Sequence, residues 1–473
     1  MHGFGVPVGD GPELLLELDR SIEEALHEQL ERAIRADIRS GRLPAGMRMP
    51  STRGLATELG VSRGVVTEAY GQLAAEGYLT TRQGAPVRVT AAVRTPTPRS
   101  PTRSLEPAFT YHFHPGMPDL AAFPRERWLR SLRAALRESP LDALGYGDPR
   151  GAPQLRDALA DYLGRVRNTA ADPEHMVISA GFTQGLSLLC RMLGGLGVEA
   201  IALEDPGWHS HRLIAEQAGL EVIPIPVDEH GMRVDALAAS EASAVVVTAA
   251  RQFPIGAVLA RERRAALVEW AESEERLIIE DDYDGEYRYD RNALGALQGL
   301  APERTVYIGS ASKRLLPGMR LGWLLTPSWL AWQLISAKAV EDAGSEVISQ
   351  LALGDFIARG ELDRHVRRMR INYQQRRDVL LGALARWLPE ATHGDDPAGL
   401  HELVSLPSDV SETALARAAA ARGVGIVRLS EHRFASEGQP GVLLGYGNLS
   451  APAVEQGVRL LGEAFAEVRG TAG

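Results

Sequence analysis

The hydrophobic pattern of residues 21–40 predicts an amphipathic helix. Apolar side chains recur every four positions and therefore fall on one helical face: Ile22, Leu26, Leu30, Ile34 and Ile38. Ser21 and Glu24 have the spacing of a capping box, which predicts that the helix starts at Ser21. Gly41 follows as a stop signal, so the predicted helix ends at residue 40.

Two more helices and a pair of strands are predicted after this helix. The pattern of residues 52–59 predicts a short helix that Gly60 ends. Ser62 is placed to cap another helix, which runs to Glu76. Residues 78–90 have the pattern of two short strands joined by a turn. The same order of elements suits a DNA-binding module or a small dimerisation module.

Short apolar runs and helical stretches alternate from Phe109 to Val468. Runs such as VVV and LII are separated by segments with helical periodicity, which predicts an α/β fold with a buried, mainly parallel sheet. Residues 91–107 precede this part and hold four prolines without apolar periodicity, so they are predicted to form an extended linker. No apolar run approaches the roughly 18 residues of a membrane span.

Composition narrows the class of protein. Hydrophobic residues make up 45% and charged residues 24% of the 473 positions, as is usual for soluble globular proteins. The single cysteine, Cys190, excludes a disulfide framework and a cysteine-based zinc site. The N-terminus has no signal-peptide pattern, so we expect a cytoplasmic protein that does not contact the membrane.

Charge is distributed unevenly along the chain. The whole chain carries a net charge of −10, yet the stretch from Arg39 to Arg103 holds ten arginines and only three acidic residues. A basic region in an acidic protein is expected where one module binds a polyanion. On charge alone, a solvated basic face explains this region equally well.

The predicted helix that starts after Ser62 has the features of a DNA-recognition helix. Arg63 and Thr67 lie in its first turns, on the face opposite its apolar residues, and residues at such positions read bases in the major groove. Arg53 and Arg82 are further candidates for contacts with phosphates or bases. A helical dimerisation module with surface arginines is the alternative.

The literal sequence LPAGMRMPSTRGLATELGVSRGVVTEAYGQLAAEGYLTTRQG closely resembles the winged helix-turn-helix of GntR-type regulators. The resemblance covers roughly residues 20–90 and implies a DNA-binding domain at 14–90. It implies DNA contacts by Arg53, Ser62 and Arg63 and by the wing at Gly84, which join the candidates Thr67 and Arg82. Thr67 stands where some relatives have an arginine, so the base preference at this position stays open.

Lys313 and Lys338 are the only lysines in the sequence. Arginine cannot form a Schiff base because its guanidinium stays protonated, so each lysine is a candidate for chemistry. In the segment GSASKRLLPGMRLGW, Lys313 is accompanied by Ser310, Ser312 and Arg320. Hydroxyl and guanidinium groups suit a phosphate bound beside a Schiff-base lysine, and a solvated basic loop is the alternative.

Three further segments carry groups that suit a planar phosphorylated cofactor. In RLIIEDDYDGEY, Asp281 follows a buried strand and could face a pyridinium nitrogen, while Tyr283 could donate to a phenolic oxygen. A calcium loop is excluded because Arg291 stands at its twelfth position, and no metal site is predicted. The pattern of VISAGFTQG predicts a strand, a turn and a helix N-terminus that could cradle phosphate. Trp208, after a Pro-Gly turn, could stack on the cofactor.

In chain order these segments resemble the fold-type I pyridoxal-phosphate aminotransferases. More narrowly, the chain resembles the MocR subfamily, in which a GntR winged helix is fused to that fold. Further marks of the subfamily are FHPGMPDLAAFP, GYGDPRGAPQLR, QFPIG and HVRRMRINYQQRRD. The resemblance implies an N-terminal winged helix-turn-helix (α+β), the linker 91–107, and an α/β fold-type I aminotransferase-like domain at 108–470 that binds pyridoxal 5'-phosphate.

The resemblance also implies roles for single residues. Lys313 would hold pyridoxal phosphate as a Schiff base, Asp281 would pair with the pyridine nitrogen, and Tyr283 would bond the phenolate oxygen. Trp208 would stack on the ring, where relatives usually have tyrosine. The phosphate would be bound by Gly181, Phe182, Thr183, Ser310, Ser312 and Arg320. Tyr146 would reach the phosphate of the neighbouring subunit in a homodimer with shared sites.

Two positions depart from the family pattern. Members that bind a small amino acid commonly have an arginine near the C-terminus, where this chain has Leu443 in GVLLGYG. Some relatives also have an arginine at the position of Ser210. The carboxylate clamp of an aminotransferase is therefore incomplete. Four residues are open candidates to replace it: Arg428, Arg433, His209 and His211.

These features predict a transcription regulator that binds operator DNA and uses pyridoxal phosphate in its sensor domain. The expected effector is a small amino compound or pyridoxal phosphate itself. The incomplete clamp disfavours efficient turnover, so we expect at most residual transaminase activity. The alternative is a pyridoxal-phosphate aminotransferase with an appended DNA-binding module.

Overall fold

The computed structural model describes residues 18–81, 85–90, 109–290, 294–394, 396–435 and 437–470. The chain forms two compact units, Met1–Pro107 and Ala108–Gly473. The predicted wing residues Arg82 and Gly84 lie outside the described residues, as does the predicted linker 91–107. Among the described residues, every helix is too short or too polar to span a bilayer.

The first unit is a three-helix module with a short hairpin. Its elements are α1 (Leu26–Ser40), α2 (Thr52–Glu58), α3 (Arg63–Ala75), β1 (Leu79–Thr80) and β2 (Arg88–Val89). β1 and β2 are antiparallel. The core forms where the apolar faces of the helices meet, and it includes Leu30, Ile34, Leu55, Val66 and Leu73.

The first helix starts later than its pattern predicts. It begins at Leu26, and its N-cap residue Ala25 provides no side-chain hydrogen bond. The predicted capping box is wrong because the Ser21 hydroxyl donates to Asp19 instead, at 2.5 Å. The side chain of Gln29 reaches back from the first turn, and its amide donates to the carbonyl oxygens of Asp19 and Glu24 at 2.9 Å each.

Serine caps hold the start of the other two helices. The Ser51 hydroxyl accepts a hydrogen bond from the Gly54 amide at 3.0 Å, and the Ser62 hydroxyl accepts one from the Val65 amide at 3.5 Å. Each cap satisfies an amide that has no partner within its helix. The predicted start of α3 directly after Ser62 is therefore confirmed.

The second unit is built from helices and two principal sheets. The helices are α4 (Arg125–Glu138), α5 (Pro153–Arg167), α6 (Phe182–Gly195), α7 (His209–Gln217), α8 (Val234–Ala238), α9 (Arg261–Ser273), α10 (Ser328–Asp342), α11 (Val347–Ala358), α12 (Glu361–Trp387), α13 (Glu412–Ala421) and α14 (Ala451–Gly470). The strands are β3 (Tyr111–His112), β4 (Met176–Ser179), β5 (Ala200–Asp205), β6 (Glu221–Asp228), β7 (Gly231–Met232), β8 (Ala244–Val247), β9 (Leu277–Asp282), β10 (Thr305–Ser310), β11 (Gly322–Leu325), β12 (Thr392–His393), β13 (His401–Ser405), β14 (Val424–Gly425), β15 (Val427–Arg428) and β16 (Gly441–Gly445).

The large sheet has the strand order β4-β11-β10-β9-β8-β5-β6-β7. Its strands run in one direction except β11 and β7, which are antiparallel to their neighbours. Consecutive residues of β8 face opposite sides: Val246 packs with α6, α7 and α10, whereas Val245 packs with α8 and α9. Burial on both faces explains the apolar runs in the sequence, and the predicted mainly parallel α/β sheet is confirmed.

A smaller sheet lies in the C-terminal part of the second unit. It is antiparallel, with the order β12-β13-β16-β15. The long helix α12 and the last helix α14 pack with it in the largest apolar core. The parallel strands of the large sheet bring the residues after Ser179, Asp205, Asp282 and Ser310 to one edge, where ligands bind in such sheets.

Candidate cofactor site and DNA-binding surface

Lys313 lies just beyond the carboxyl end of β10. The Tyr287 hydroxyl donates to the Lys313 carbonyl oxygen at 3.2 Å and holds the backbone there. The Lys313 amine has space because residue 116 is glycine: a Cβ at Gly116, where φ is +72°, would lie 3.0 Å from Nζ. Burial lowers the pKa of the amine, opposed by the negative charges of Asp284 and Asp281. A lowered pKa increases the fraction of nucleophilic neutral amine.

Asp281 is buried at the end of β9. His211, from the first turn of α7, places Nε2 3.4 Å from the Asp281 carboxylate. The His211 ring also packs on Phe182, with ring centroids 5.0 Å apart. Burial raises the pKa of Asp281, and the interaction with His211 opposes this rise. The Asp281 carboxylate therefore lies at the carboxyl edge of the large sheet beside the His211 ring, and its predicted role toward the pyridine nitrogen stays a prediction.

Tyr283 follows β9 directly, and its hydroxyl is buried without a hydrogen-bond partner among the described residues. A buried hydroxyl without a partner is costly unless a ligand supplies one. Trp208 lies just before α7 and packs edge-on against Phe253, with centroids 4.5 Å apart. Asp281, Tyr283 and Trp208 all lie at the carboxyl edge of the large sheet, as Lys313 does.

The predicted phosphate-binding residues also come together. Gly181, with φ at +88°, is the N-cap of α6, and Phe182 and Thr183 form the first turn. The Arg320 guanidinium donates to the Ala180 carbonyl oxygen at 2.7 Å, and it lies 3.1 Å from where a Cβ at Gly181 would be.

Ser310 is joined to this loop through the sheet. It pairs with Gly322 across β10 and β11, and a Cβ at Gly322 would lie 2.8 Å from the Gly181 backbone. Ser312, two residues further on, is partly buried. Free amides at a helix N-terminus, hydroxyls and a guanidinium form a suitable cradle for phosphate.

Tyr146 takes no part in these contacts. Its side chain is 93% exposed, in the loop after the 3-10 helix Leu141–Leu144. An exposed tyrosine is what the proposed role in a neighbouring subunit requires, and that role stays a prediction.

The structure shows what surrounds each open candidate for the carboxylate clamp. Arg428 pairs with Glu431 at 2.6 Å, and Arg433 donates to the carbonyl oxygens of Gly438 and Gln439 at 2.9 and 2.7 Å. His211 is engaged with Asp281, and His209 is exposed. Leu443 itself is fully buried in β16.

Sequence reasoning missed a buried polar group behind Tyr283. The Arg251 guanidinium donates to the His401 carbonyl oxygen at 2.7 Å and lies 4.0 Å from the Asp284 carboxylate. Burial raises the pKa of Asp284 to about 7, opposed by Arg251. Arg251 directly precedes the QFPIG motif, and Asp284 belongs to the segment RLIIEDDYDGEY, so the sequence analysis had singled out both neighbourhoods. Their proximity arises only from the fold.

His432 was also missed. Its ring stacks on Trp208 with centroids 5.8 Å apart, and neither ring nitrogen has a hydrogen-bond partner among the described residues. Burial lowers the pKa of His432 to about 4, so the ring is neutral at physiological pH. No motif in the sequence marks this residue.

In the first unit, the predicted DNA contacts form one exposed face. Arg53 lies in the first turn of α2, and Ser62, Arg63 and Thr67 lie at the start of α3; all four are exposed. The Arg63 guanidinium donates to the Thr52 hydroxyl at 3.3 Å, which joins the two helices at this face. Exposed polar residues at the start of α3, the second helix of the helix-turn-helix, suit contacts in the major groove.

Comparison with known proteins identifies both parts of the chain. Residues 26–89 match the family of bacterial regulatory proteins called gntR, and residues 121–440 match aminotransferase class I and II. The chain is 33% identical over 475 residues to the probable rhizopine catabolism regulatory protein MocR of Rhizobium meliloti, covering 95% of this chain and 96% of that protein. The chain belongs to the MocR-type regulators of the GntR family.

Other relatives agree with this family. The pyridoxine biosynthesis transcriptional regulator PdxR of Corynebacterium glutamicum is 35% identical, covering 89% of this chain and 91% of that protein. Among solved structures, the multiple substrate aminotransferase of Thermococcus profundus has a TM-score of 0.71 at 26% identity, covering 79% of this chain and 96% of that one. The kynurenine aminotransferase of Pyrococcus horikoshii, solved with PMP, has a TM-score of 0.69 at 25% identity, covering 76% and 91%.

As a MocR-type regulator, the protein combines a DNA-binding winged helix-turn-helix with an aminotransferase-like domain that binds pyridoxal phosphate. The residues present fit this cofactor. The Tyr283 hydroxyl lacks a hydrogen-bond partner among the described residues, Gly181 opens a helix N-terminus, and Gly116 leaves space beside the Lys313 amine. When bound, pyridoxal phosphate draws electrons from an attached amine into its pyridine ring.

Proposed function

We propose that this regulator senses a small amino compound, or pyridoxal phosphate itself, at Lys313 and conveys the state of that site to operator DNA. The observation that carries the proposal is that Lys313, Asp281 and Tyr283 lie at one edge of the sheet and that the buried Tyr283 hydroxyl has no hydrogen-bond partner in the described part of the chain. A MocR-type chain with this set of groups has what a cofactor-based sensor needs.

Each residue supplies one function toward the cofactor. Lys313 provides the amine, whose lowered pKa keeps part of it neutral. Asp281, supported by His211, provides a negative charge to the pyridine nitrogen. The Tyr283 hydroxyl donates a hydrogen bond to the ring oxygen, and Trp208 covers one ring face. The phosphate is bound by Gly181, Phe182, Thr183, Ser310, Ser312 and Arg320.

The site favours sensing over turnover. An α-amino acid substrate needs a cation for its carboxylate, but Leu443 is buried and apolar. Arg428 and Arg433 are engaged with other groups. An α-amino acid would therefore bind without a cation to orient its carboxylate. We expect at most residual transaminase activity for this reason.

A second candidate is a full aminotransferase with an appended DNA-binding module. It is favoured by one observation: the cofactor-facing residues Lys313, Asp281 and Tyr283 are all present in a domain that shares its fold with active aminotransferases. Under this alternative the DNA-binding unit would not respond to the cofactor site.

The names of the relatives support two kinds of effector. PdxR is named as a regulator of pyridoxine biosynthesis, which supports a response to pyridoxal phosphate. MocR is named as a regulator of rhizopine catabolism, which supports a response to a catabolic substrate. We also propose a homodimer in which Tyr146 reaches the phosphate of the neighbouring subunit, acting on operator DNA in the cytoplasm.

The test compares three preparations: protein without cofactor, protein saturated with pyridoxal phosphate, and Lys313→Ala. Binding to the DNA upstream of its own gene is measured for each by fluorescence anisotropy, alongside transaminase assays over a panel of amines. The sensor proposal expects DNA affinity or stoichiometry to change with the state of Lys313 while turnover stays low. Fast turnover with DNA binding indifferent to the cofactor would establish the enzyme instead.

A further inference from the structure

A cavity of about 260 Å³ lies between α5, α12 and the segment that follows Tyr283. Of its lining residues, Tyr162 and Glu286 are almost fully buried and Arg367 is exposed. Lys313 is not one of its lining residues, so this space is separate from the cofactor site. Its size suits a ligand of few atoms, because pockets for drug-sized ligands start at about 300 Å³.

Five arginines but only two acidic residues line this cavity. Three of the arginines have carboxylate partners. Arg165 pairs with Asp363 at 2.9 Å, Arg167 with Asp282 at 2.6 Å, and Arg288 with Asp396 at 2.8 Å. These three guanidinium charges are compensated.

The other two arginines, Arg367 and Arg370, have no carboxylate partner among the described residues. Arg370 donates from Nε and Nη2 to the Glu286 carbonyl oxygen, at 3.1 and 2.7 Å. The Glu286 carboxylate is engaged through one oxygen: Oε2 accepts from Arg314 Nε at 2.7 Å, while Oε1 has no hydrogen-bond partner among the described residues. Arg367 makes no hydrogen bond or ion pair with a described residue.

Two uncompensated guanidinium groups therefore face one concave space. They stand three residues apart on α12, a spacing that puts both on the same helical side. A concave site concentrates the field of such charges, and guanidinium matches phosphate and carboxylate geometry. The excess is notable in a chain whose net charge is −10.

We propose that this cavity binds a small molecule bearing a phosphate or carboxylate group, held by Arg367 and Arg370. Phosphate and carboxylate present the same acceptor chemistry to two guanidinium groups, so the site is defined by the anion. The three arginines that pair with Asp363, Asp282 and Asp396 form part of the cavity wall.

The position of the cavity links it to Lys313. Glu286 lies in its wall and holds Arg314, the residue next to Lys313, while Tyr287 donates to the Lys313 carbonyl oxygen at 3.2 Å. An anion that draws Arg370 from the Glu286 carbonyl oxygen would alter the support of Lys313. This coupling rests on the proposed function of Lys313, whereas the anion site itself does not.

The experiment titrates cofactor-saturated protein with inorganic phosphate and, separately, with acetate by isothermal calorimetry. Saturation fills the phosphate cradle at Gly181, so the added anion reports on the cavity. Arg367→Gln and Arg370→Gln should each weaken binding by about tenfold or more, the loss of a charge-assisted hydrogen bond. Arg364→Gln is the matched control, because Arg364 lies on the same helix but pairs with Glu361 outside the cavity.

Every outcome decides the proposal. Anion binding that is lost in both cavity variants and kept in Arg364→Gln supports the proposed anion site. The anion that binds more tightly, phosphate or acetate, identifies the preferred ligand group. No binding of either anion, or binding unchanged in Arg367→Gln, overturns it; because Arg367 is exposed, this variant is expected to stay folded. A change in the visible absorbance of the cofactor on adding phosphate tests the coupling. A protein that takes up no cofactor would refute the proposed function, while the same titration would still decide the cavity.

Discussion

The Lys313 amine is the group on which the cofactor chemistry of this regulator depends. We expect purified protein to show the visible absorbance of bound pyridoxal phosphate and Lys313→Ala to lose it, because the amine of the only other lysine, Lys338, is bonded to Asp342 and Ser345. Absorbance spectra and circular dichroism measure colour and folding together.

Lys338 provides the control for this prediction. Its amine bonds Asp342 at 2.5 Å and Ser345 at 2.9 Å, in a different environment. Lys338→Arg keeps the charge of this contact and should keep the absorbance. A Lys313→Ala protein that retains the absorbance would disprove the assignment.

Glu204 gives a pH-dependent prediction at the same scale. It is buried at the end of β5 and accepts from the Thr248 amide at 3.1 Å. Burial raises its pKa from 4.5 to about 7. Between pH 4.5 and about pH 7 the folded protein therefore binds more protons at this group than the unfolded chain does. The free energy of unfolding consequently decreases as the pH rises through this range.

Glu204→Gln removes this titration. The free energy of unfolding of Glu204→Gln minus that of the unsubstituted protein should therefore be about 1–3 kcal/mol larger at pH 8 than at pH 5. Denaturant unfolding at both pH values measures the difference. Glu216→Gln is the control, because Glu216 is exposed and pairs with Arg212 on α7. A difference between the two proteins that does not change with pH would contradict the prediction.

At the scale of elements, α3 carries the predicted recognition surface. Its buried side chains Val66, Tyr70 and Leu73 fix it in the core of the first unit, which leaves Arg63 exposed at its start. Arg63→Ala should weaken operator binding by about 1–3 kcal/mol if it contacts a base. If it contacts a phosphate, the loss should be uniform across sequences, and the salt dependence should fall by about one counterion.

Fluorescence anisotropy over a series of salt concentrations and operator variants separates these two cases. Arg212→Ala, in the second unit, controls for the loss of an arginine elsewhere. Operator binding that is equal in Arg63→Ala and the unsubstituted protein would remove Arg63 from the interface.

At the scale of the whole molecule, the exposed residues around Tyr146 predict a dimer. Leu141 is 88% and Tyr146 is 93% exposed, and neighbouring large apolar side chains are usually covered by a partner. We expect a dimer in sedimentation experiments. Leu141→Arg should shift it toward monomer, and cofactor affinity should fall with it, because each phosphate would lose Tyr146 of the partner subunit.

Leu196→Arg is the matched control, since Leu196 is 52% exposed at the end of α6. It should leave the dimer and the cofactor affinity unchanged. A monomer with full cofactor affinity would show that the sites are not shared.

Local patterns were enough to predict much of the fold. Ser62 caps α3 as predicted, because its hydroxyl accepts a hydrogen bond from an amide only three residues further along the chain. Such a contact depends on local sequence alone. The start of α1 was misplaced for the converse reason. The spacing of Ser21 and Glu24 allowed a cap, but the Ser21 hydroxyl bonded Asp19, and competition among several partners is not visible in a spacing rule.

The cofactor residues could be anticipated because each lies at or just after the carboxyl end of a strand of the large sheet, and the carboxyl ends of parallel strands share one edge. Residues, order and motif thus determined the family, the cofactor and the candidates Lys313, Asp281 and Tyr283. Only the tertiary structure brought Arg251 to Asp284 and His401 and stacked His432 on Trp208. It also left Arg367 and Arg370 without acidic partners among the residues that the structure describes. The physical reason is that burial and pairing depend on contacts between residues far apart in the chain, which strand order and helix packing set and no local pattern contains.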